Sequence, residues 1–144
     1  MSTIAQKNAA LYVILDLLDG GSNPLASISD YPNPMPPSYP HSYPIWIENG
    51  EDTLDTKDNE SATQFVIRTL IPDRNDKTTY DTMLAVADAL LAEFRKDDHY
   101  TLGGLCMRLH VSPTMKPLRT GEGEEAMIVL DMNVTCYDLQ DTTT

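Results

Sequence analysis

Positive charge, cysteine and long apolar runs are all scarce in this chain, and each shortage removes a class of function. Lys and Arg number 10 against 22 Asp and Glu in 144 residues, a formal net charge of −12. Proteins that hold nucleic acid displace counterions from its phosphates with Lys and Arg. This chain repels DNA over most of its surface and suits a surface along which a polyanion passes without sticking. No stretch approaches the roughly 20 apolar residues that a membrane span requires. The apolar piece Leu11 to Leu18 is interrupted by Asp16 and follows no charged region with a cleavage site, so the expectation is a soluble chain without a signal peptide. Cys106 and Cys136 both fall on strand-like stretches. They read as small core residues in a reducing compartment, not as a secreted disulfide scaffold.

Patterns that carry chemistry are equally scarce. His41, His99 and His110 stand apart in sequence, and no Ser–His or Cys–His pair follows from local spacing. Gly20–Gly21 and Gly103–Gly104 lack the pattern of a phosphate-cradling loop, and nothing has the ligand spacing of a zinc site. Asp97 and Asp98 are adjacent, so they do not face each other on a helix. The acidic stretch Gly50 to Ser61 invites comparison with a calcium loop, but Lys57 stands between Asp55 and Asn59 where a ligand belongs and no glycine follows. Pro34, Met35, Pro36 and Pro37 lack the flanking Arg or Lys of an SH3-type ligand. The expectation is a protein that is not an enzyme and holds no metal or cofactor.

What the chain does have is a long strand. In Glu125 to Leu139 the residues Ala126, Ile128, Leu130, Met132, Val134 and Cys136 alternate onto one face, and Met127, Val129, Asp131, Asn133, Thr135 and Tyr137 onto the other. A period of two is the strand signature. The first half is apolar on both faces, which predicts cover on both sides; the second half is apolar on one face only. At about 3.3 Å per residue it spans roughly 40 Å, against a radius of gyration of about 14–15 Å for a globule of this length. It therefore bends at a bulge or projects towards another molecule.

The remaining elements follow in order. Ser2 to Asp19 reads as a helix with Ile4, Leu11, Ile14, Leu15 and Leu18 on one face, capped by Ser2 or Thr3 and stopped by Gly20 and Gly21. Strands are expected at Ile45–Glu48, Gln64–Ile71, Leu102–Ser112 (its paired part Leu105–Ser112), the last broken by Pro113 and Pro117, and at Met127–Tyr137. A second helix, capped by Thr78, places Tyr80, Leu84, Ala87, Leu91 and Phe94 on its core face. The buried set is expected to include Leu84, Leu91, Phe94, Leu109, Ile128 and Leu130. Thr120 to Glu124 is expected to be a mobile connection and Asp141 to Thr144 a disordered tail.

Two stretches are left over. Asn23 to Pro44 holds seven of the ten prolines with Tyr31, Tyr39 and Tyr43. Proline fixes φ and removes a donor, excluding helix and central strand, and about 20 residues of structureless chain in a compact domain is commonly functional. This predicts a polyproline-II-like arm laid over its own sheet or a neighbouring chain, with Tyr31, Pro36, Tyr39, Tyr43 and Trp46 as the interface residues. The second stretch, Glu51 to Glu60, carries Glu51, Asp52, Asp55, Asp58 and Glu60 and reads as a solvated hairpin tip.

These elements make one domain over residues 1–144, of α+β class: a mainly antiparallel four-stranded sheet with two packed helices in the order α-β-β-α-β-β, and a long Pro-rich arm. In this order the chain resembles the tail terminator (tail-completion) proteins of long-tailed bacteriophages, small α+β proteins whose ring closes the tail tube and joins it to the head. The residues that carry the resemblance are the opening helix ending LDLLDGG, the strand Ile45–Ile47 reached through prolines, the Tyr80-to-Phe94 helix, and the paired strands Leu105–Val111 and Met127–Cys136. It is a likeness of element order over almost the whole chain, and the arm is longer than the family's pattern. The resemblance implies a structural virion protein, assembled in the host cytoplasm as a six-fold homo-oligomeric ring. Its partners would be the tail tube protein and a neck or connector protein, with DNA passing through unbound, no membrane and no cofactor. The hairpin with Glu51, Asp52, Asp55, Asp58 and Glu60 would face the lumen or the adjoining tube. A stopper or adaptor ring at the capsid portal remains open, as does a small enzyme or ligand-binding domain with its site between sheet and arm.

Overall fold

The computed structural model describes residues 2–53 and 59–139, with the backbone alone at 51–53, 59–60, 113–114 and 139. Asp55, Asp58 and the tail 141–144 lie outside the described residues. The first helix, α1 (Ile4–Asp16), forms where the apolar stripe predicts it. Thr3 caps it in a capping box: Thr3 N donates to Gln6 Oε1 at 2.8 Å, and Gln6 N donates to Thr3 Oγ1 at 3.1 Å. Leu11, Ile14, Leu15 and Leu18 are buried, with Lys7 beside them, its Nζ 3.5 Å from Ser2 O and from Thr63 Oγ1.

The fold is α+β, but among the described residues the sheet has five strands and is mixed. Its strands are β1 (Ser27–Ile28), β2 (His41–Thr53), β3 (Asn59–Pro72), β4 (Arg108–Thr120) and β5 (Met127–Leu139), in the spatial order β1-β2-β3-β5-β4. β1 runs parallel to β2; the other pairs are antiparallel. The chain order is therefore α-β-β-β-α-β-β. The expectation of four strands fails because the Pro-rich arm supplies a strand of its own. Ser27 and Ile28, between Pro24 and Pro32, pair with His41 and Ser42.

Proline placement explains the other differences. β2 begins at His41 and continues through Pro44, which lies beyond the end of β1 where β2 has an open edge. β4 is itself the sheet's other edge, so it accommodates Pro113 and Pro117 and starts and ends later than expected. A proline at an edge removes no ladder bond. The register of β4 against β5 shifts between Val111 and Met115, around those residues. β5 pairs with β3 from Glu60↔Leu139 to Pro72↔Met127 without a shift. The long strand is thus unbroken, and the irregularities fall on its neighbours. The turn from β4 to β5 depends on Gly121, at φ +79°, where a Cβ would sit 2.6 Å from Glu125 O.

α2 (Lys77–Phe94) is capped by Asp76, whose carboxylate accepts from Thr79 N at 2.8 Å, and not by Thr78. Its buried residues are Thr79, Val86, Leu90, Glu93 and Phe94. Tyr80 is 56% and Leu84 43% exposed, while Ala87 and Leu91 are half-buried. The helix is turned by one residue, about 100°, from the stripe its sequence suggests. Two polar members hide the true stripe. Thr79 Oγ1 accepts from Arg74 N at 3.1 Å, and Glu93 takes His99 Nε2 at 2.9 Å and Lys96 Nζ at 3.1 Å. Burial alone would push Glu93 up; the bonds from His99 and Lys96 hold it below its ordinary value.

Both helices share one core with Phe65, Ile67 and Ile71 of β3 and with Ile128, Leu130, Met132, Val134 and Cys136 of β5. They therefore cover the same face. On the opposite face, among the described residues, no helix lies over Met127 and Val129. Val129 stands between Leu70 and Leu118 in a cross-strand row and is half-buried, which accounts for the apolar character that predicted two-sided cover.

Candidate interaction surfaces

The Pro-rich arm is fastened to its own sheet through one buried histidine. His41 is 0% exposed; its Nδ1 lies 2.6 Å from Ser27 Oγ and its Nε2 3.0 Å from Ser29 Oγ. The two serines reach on to the arm: Ser27 Oγ donates to Ser38 O at 2.6 Å and Ser29 Oγ to Tyr31 O at 2.7 Å. Ala26 N donates to Pro40 O at 2.9 Å, and Ser38 Oγ returns to Ala26 O at 3.1 Å. On the other side Asn8 Nδ2 donates to Asp30 O at 2.9 Å, tying the arm to α1. Burial lowers the His41 pKa, against the field of Asp19 and the bond with Ser27.

Local spacing gave no sign of this Ser–His arrangement. The serines stand 14 and 12 residues from the histidine, and only the parallel β1–β2 pairing brings them together. It is a clamp and not a nucleophile with its base. Ser27 and Ser29 are each 8% exposed, and their hydroxyls are committed to carbonyls. Among the described residues no group of three His, Cys, Asp or Glu could hold a metal ion, and no helix is long and apolar enough to cross a membrane.

The residues expected to meet a partner are spread along the arm and β2. Tyr31 is 55%, Tyr39 39% and Trp46 48% exposed, while Tyr43 is buried with its ring 5.8 Å from that of His41. Pro36 is half-buried. The arm is thus held by serine hydroxyls and His41, with Tyr43 the one tyrosine taken up by its own sheet. Of the acidic hairpin the structure gives Glu51, Asp52 and Glu60 as backbone partners in β2 and β3, Glu51↔Ser61 and Asp52↔Glu60. The β2–β3 hairpin and β5 run on past the start of β4, since Ser61↔Asp138 and Glu60↔Leu139 still pair beyond Arg108↔Tyr137.

The face free of helices carries a cross-strand row of Tyr43, Arg68, Asp131 and Lys116. Arg68 grips Asp131 with two bonds, Nε to Oδ1 and Nη2 to Oδ2, each 2.9 Å. Asp131 raises the Arg68 pKa further. Apolar side chains lie open at several places: Val13, which the sequence sets off the main stripe of α1, and Leu17, Ile47 on β2 and Leu118 on β4, which it did not single out, from 49% to 63% exposed. Cys106 and Cys136 are free and buried, and the two thiols are in contact, which pushes Cys136 up. No family model matches the chain, and no curated protein matches it significantly.

Proposed function

We propose that this chain is the repeating subunit of a ring, six-fold and built into a phage virion, that caps the tail tube and joins the tail to the head or neck. One observation carries the reading. Among the described residues the sheet is open at both ends, at β2 beyond Ser42 and at β4, and each open edge bears large exposed apolar side chains: Trp46 and Ile47 on β2, Leu118 on β4. Both edges also carry prolines and charges that blunt a strand ladder, Pro44 and Glu48 on β2, Lys116 and Pro117 on β4, so a contact between copies would be made by these apolar side chains and not by shared strand bonds. The likeness of element order to the tail terminators, from which the added strand β1 departs, is what suggests the tail end as the ring's place. Exposed Tyr31 and Tyr39, with Pro36 between them, supply aromatic contacts at the rim for the tail tube protein or the neck.

Velocity sedimentation and negative-stain electron microscopy of the purified chain test the reading. The expected result is a six-fold ring at six times the chain mass, and, on adding tail tubes, rings seated on their ends. A monomer that persists at tens of micromolar overturns it. A ring that binds a portal but not a tail tube moves the chain to the stopper or adaptor position.

A further inference from the structure

The chain has two cysteines, and the fold brings them to one place. Cys136 lies in the middle of the sheet, 0% exposed, level with Thr63 of β3 and Leu109 of β4. Cys106 is 6% exposed and ends the turn that leads into β4. Its N donates to Thr101 O at 3.1 Å, and the next residue, Met107, donates from N to Tyr137 O at 2.9 Å. Tyr137 in turn follows Cys136, so each cysteine's successor is bonded to the other's. Both thiols are free, and they touch. The turn has room to move: at Gly103 and Gly104, with φ +69° and +90°, an added Cβ would meet nothing within 4 Å.

The first helix adds a cation. Ser2 Oγ donates to Leu105 O, beside Cys106, and Lys7 Nζ lies 3.5 Å from Ser2 O and 3.5 Å from Thr63 Oγ1, on the residue opposite Cys136. Lys7 is 2% exposed. Burying an ammonium is costly unless acceptors or an anion answer it. Two bonds at 3.5 Å answer it poorly, and a thiolate answers it well. The bond from the Cys136 thiol holds the Cys106 thiol below its ordinary value; Lys7 works in the same direction, burial and Asp138 against it. The same bond pushes Cys136 up. Cys106 is thus the nucleophile of the pair and Cys136 its proton donor. A buried cysteine that only packs needs neither a second thiol nor a lysine.

We propose that Cys106 and Cys136 are a peroxide-sensitive dithiol that closes to an intramolecular disulfide and staples the turn before β4 to β5. The proposal is independent of the ring reading. The Cys106 thiolate attacks one oxygen of hydrogen peroxide; the O–O bond breaks, that oxygen stays on sulfur as a sulfenic acid, and the other leaves as hydroxide, which takes up a proton. Cys136 then attacks the sulfenic sulfur: the S–S bond forms, the S–O bond breaks, and the hydroxyl leaves with the Cys136 proton as water. Two thiols are oxidised and one peroxide is reduced to water. The test treats the purified full chain with graded peroxide, then alkylates it in denaturant and maps its peptides by mass spectrometry. The expected product is a chain lighter by two hydrogens, its Cys106 and Cys136 peptides linked, reversed by dithiothreitol and melting at a higher temperature than the reduced chain. Cys136→Ser is expected to stop at a sulfenic acid that dimedone traps on Cys106, and Cys106→Ser to react at Cys136 at least about tenfold more slowly. Thiols still free when Met35, 85% exposed, is oxidised overturn the proposal. So do links between chains alone, or a bridge that leaves the melting temperature unchanged. The wild-type bridge decides by itself, so a variant that fails to fold does not remove the test.

Discussion

His41 faces two hydroxyls whose protons are already spent. Ser27 and Ser29 donate to Ser38 O and Tyr31 O, so each offers the ring a lone pair. A neutral imidazole has one N–H and can satisfy one of them; to meet the other nitrogen, one serine must turn its proton inward and release its carbonyl. Burial favours that neutral ring, lowering its pKa below the ordinary 6.5 while Asp19 and Ser27 oppose the shift. The unfolded chain then takes up the proton first as pH falls. The stability owed to the neutral ring is complete above about 6.5 and is lost as pH falls through that value towards the folded-state pKa. The melting temperature of the wild-type chain is expected to drop between pH 7.5 and pH 5.5 by more than that of His41→Gln, measured by circular dichroism; equal drops would refute the assignment. His41→Ala, which removes the buried ring that both serines contact while leaving their bonds to Ser38 O and Tyr31 O, is expected to destabilise by about 1–3 kcal/mol at neutral pH.

At the level of elements, the helix α2 (Lys77–Phe94) separates what packs from what merely repeats. Leu90 is 0% exposed and Leu84 43%. Leu90→Ala is expected to cost about 2–5 kcal/mol by denaturant titration and Leu84→Ala less than about 1 kcal/mol; the reverse order would mean the helix is rotated. The sequence showed α1 and β5 well, because in each a single apolar set recurs at one period. It misplaced α2 because Thr79 and Glu93 sit on the buried side, satisfied by Arg74 N and by His99 with Lys96, and such partners do not show in a hydropathy pattern. It also stopped β2 and β4 at prolines, since whether a strand is an edge, and so tolerates Pro44 or Pro117, is decided by the sheet order and not locally. The open edges, which carry the functional reading, were invisible for the same reason. The arm follows this logic too. Removing Pro32 to Pro40 takes away Ser38 O and Pro40 O, acceptors for Ser27 Oγ and Ala26 N, so it is expected to lower stability. Replacing only Asn33–Pro37 by glycines should leave the clamp closed and weaken ring or tail-tube binding alone. Unchanged binding by light scattering would remove the arm from the interface.

For the whole molecule the deciding quantity is the distribution of its −12 charge. Among the cations of β4 (Arg108–Thr120), Arg119 pairs with Asp73 and Arg108 lies over the Tyr137 ring, whereas Asp55 and Asp58, between β2 (His41–Thr53) and β3 (Asn59–Pro72), lie outside the described residues. In a ring that DNA traverses, each cation facing the channel adds a phosphate contact that slows sliding and weakens with salt, while an acid adds none. If the hairpin tip guards the channel, Asp55→Asn with Asp58→Asn should leave both assembly and DNA ejection unchanged, because neutral residues still give phosphates nothing to hold. Asp55→Lys with Asp58→Lys should assemble normally and slow ejection, with the slowing relieved as salt is raised through the range where the Debye length shrinks below about 10 Å. Ejection measured by DNA release from assembled particles separates the cases. Equal ejection by both variants would place the hairpin on the outside of the ring, where its charge only keeps the particle soluble.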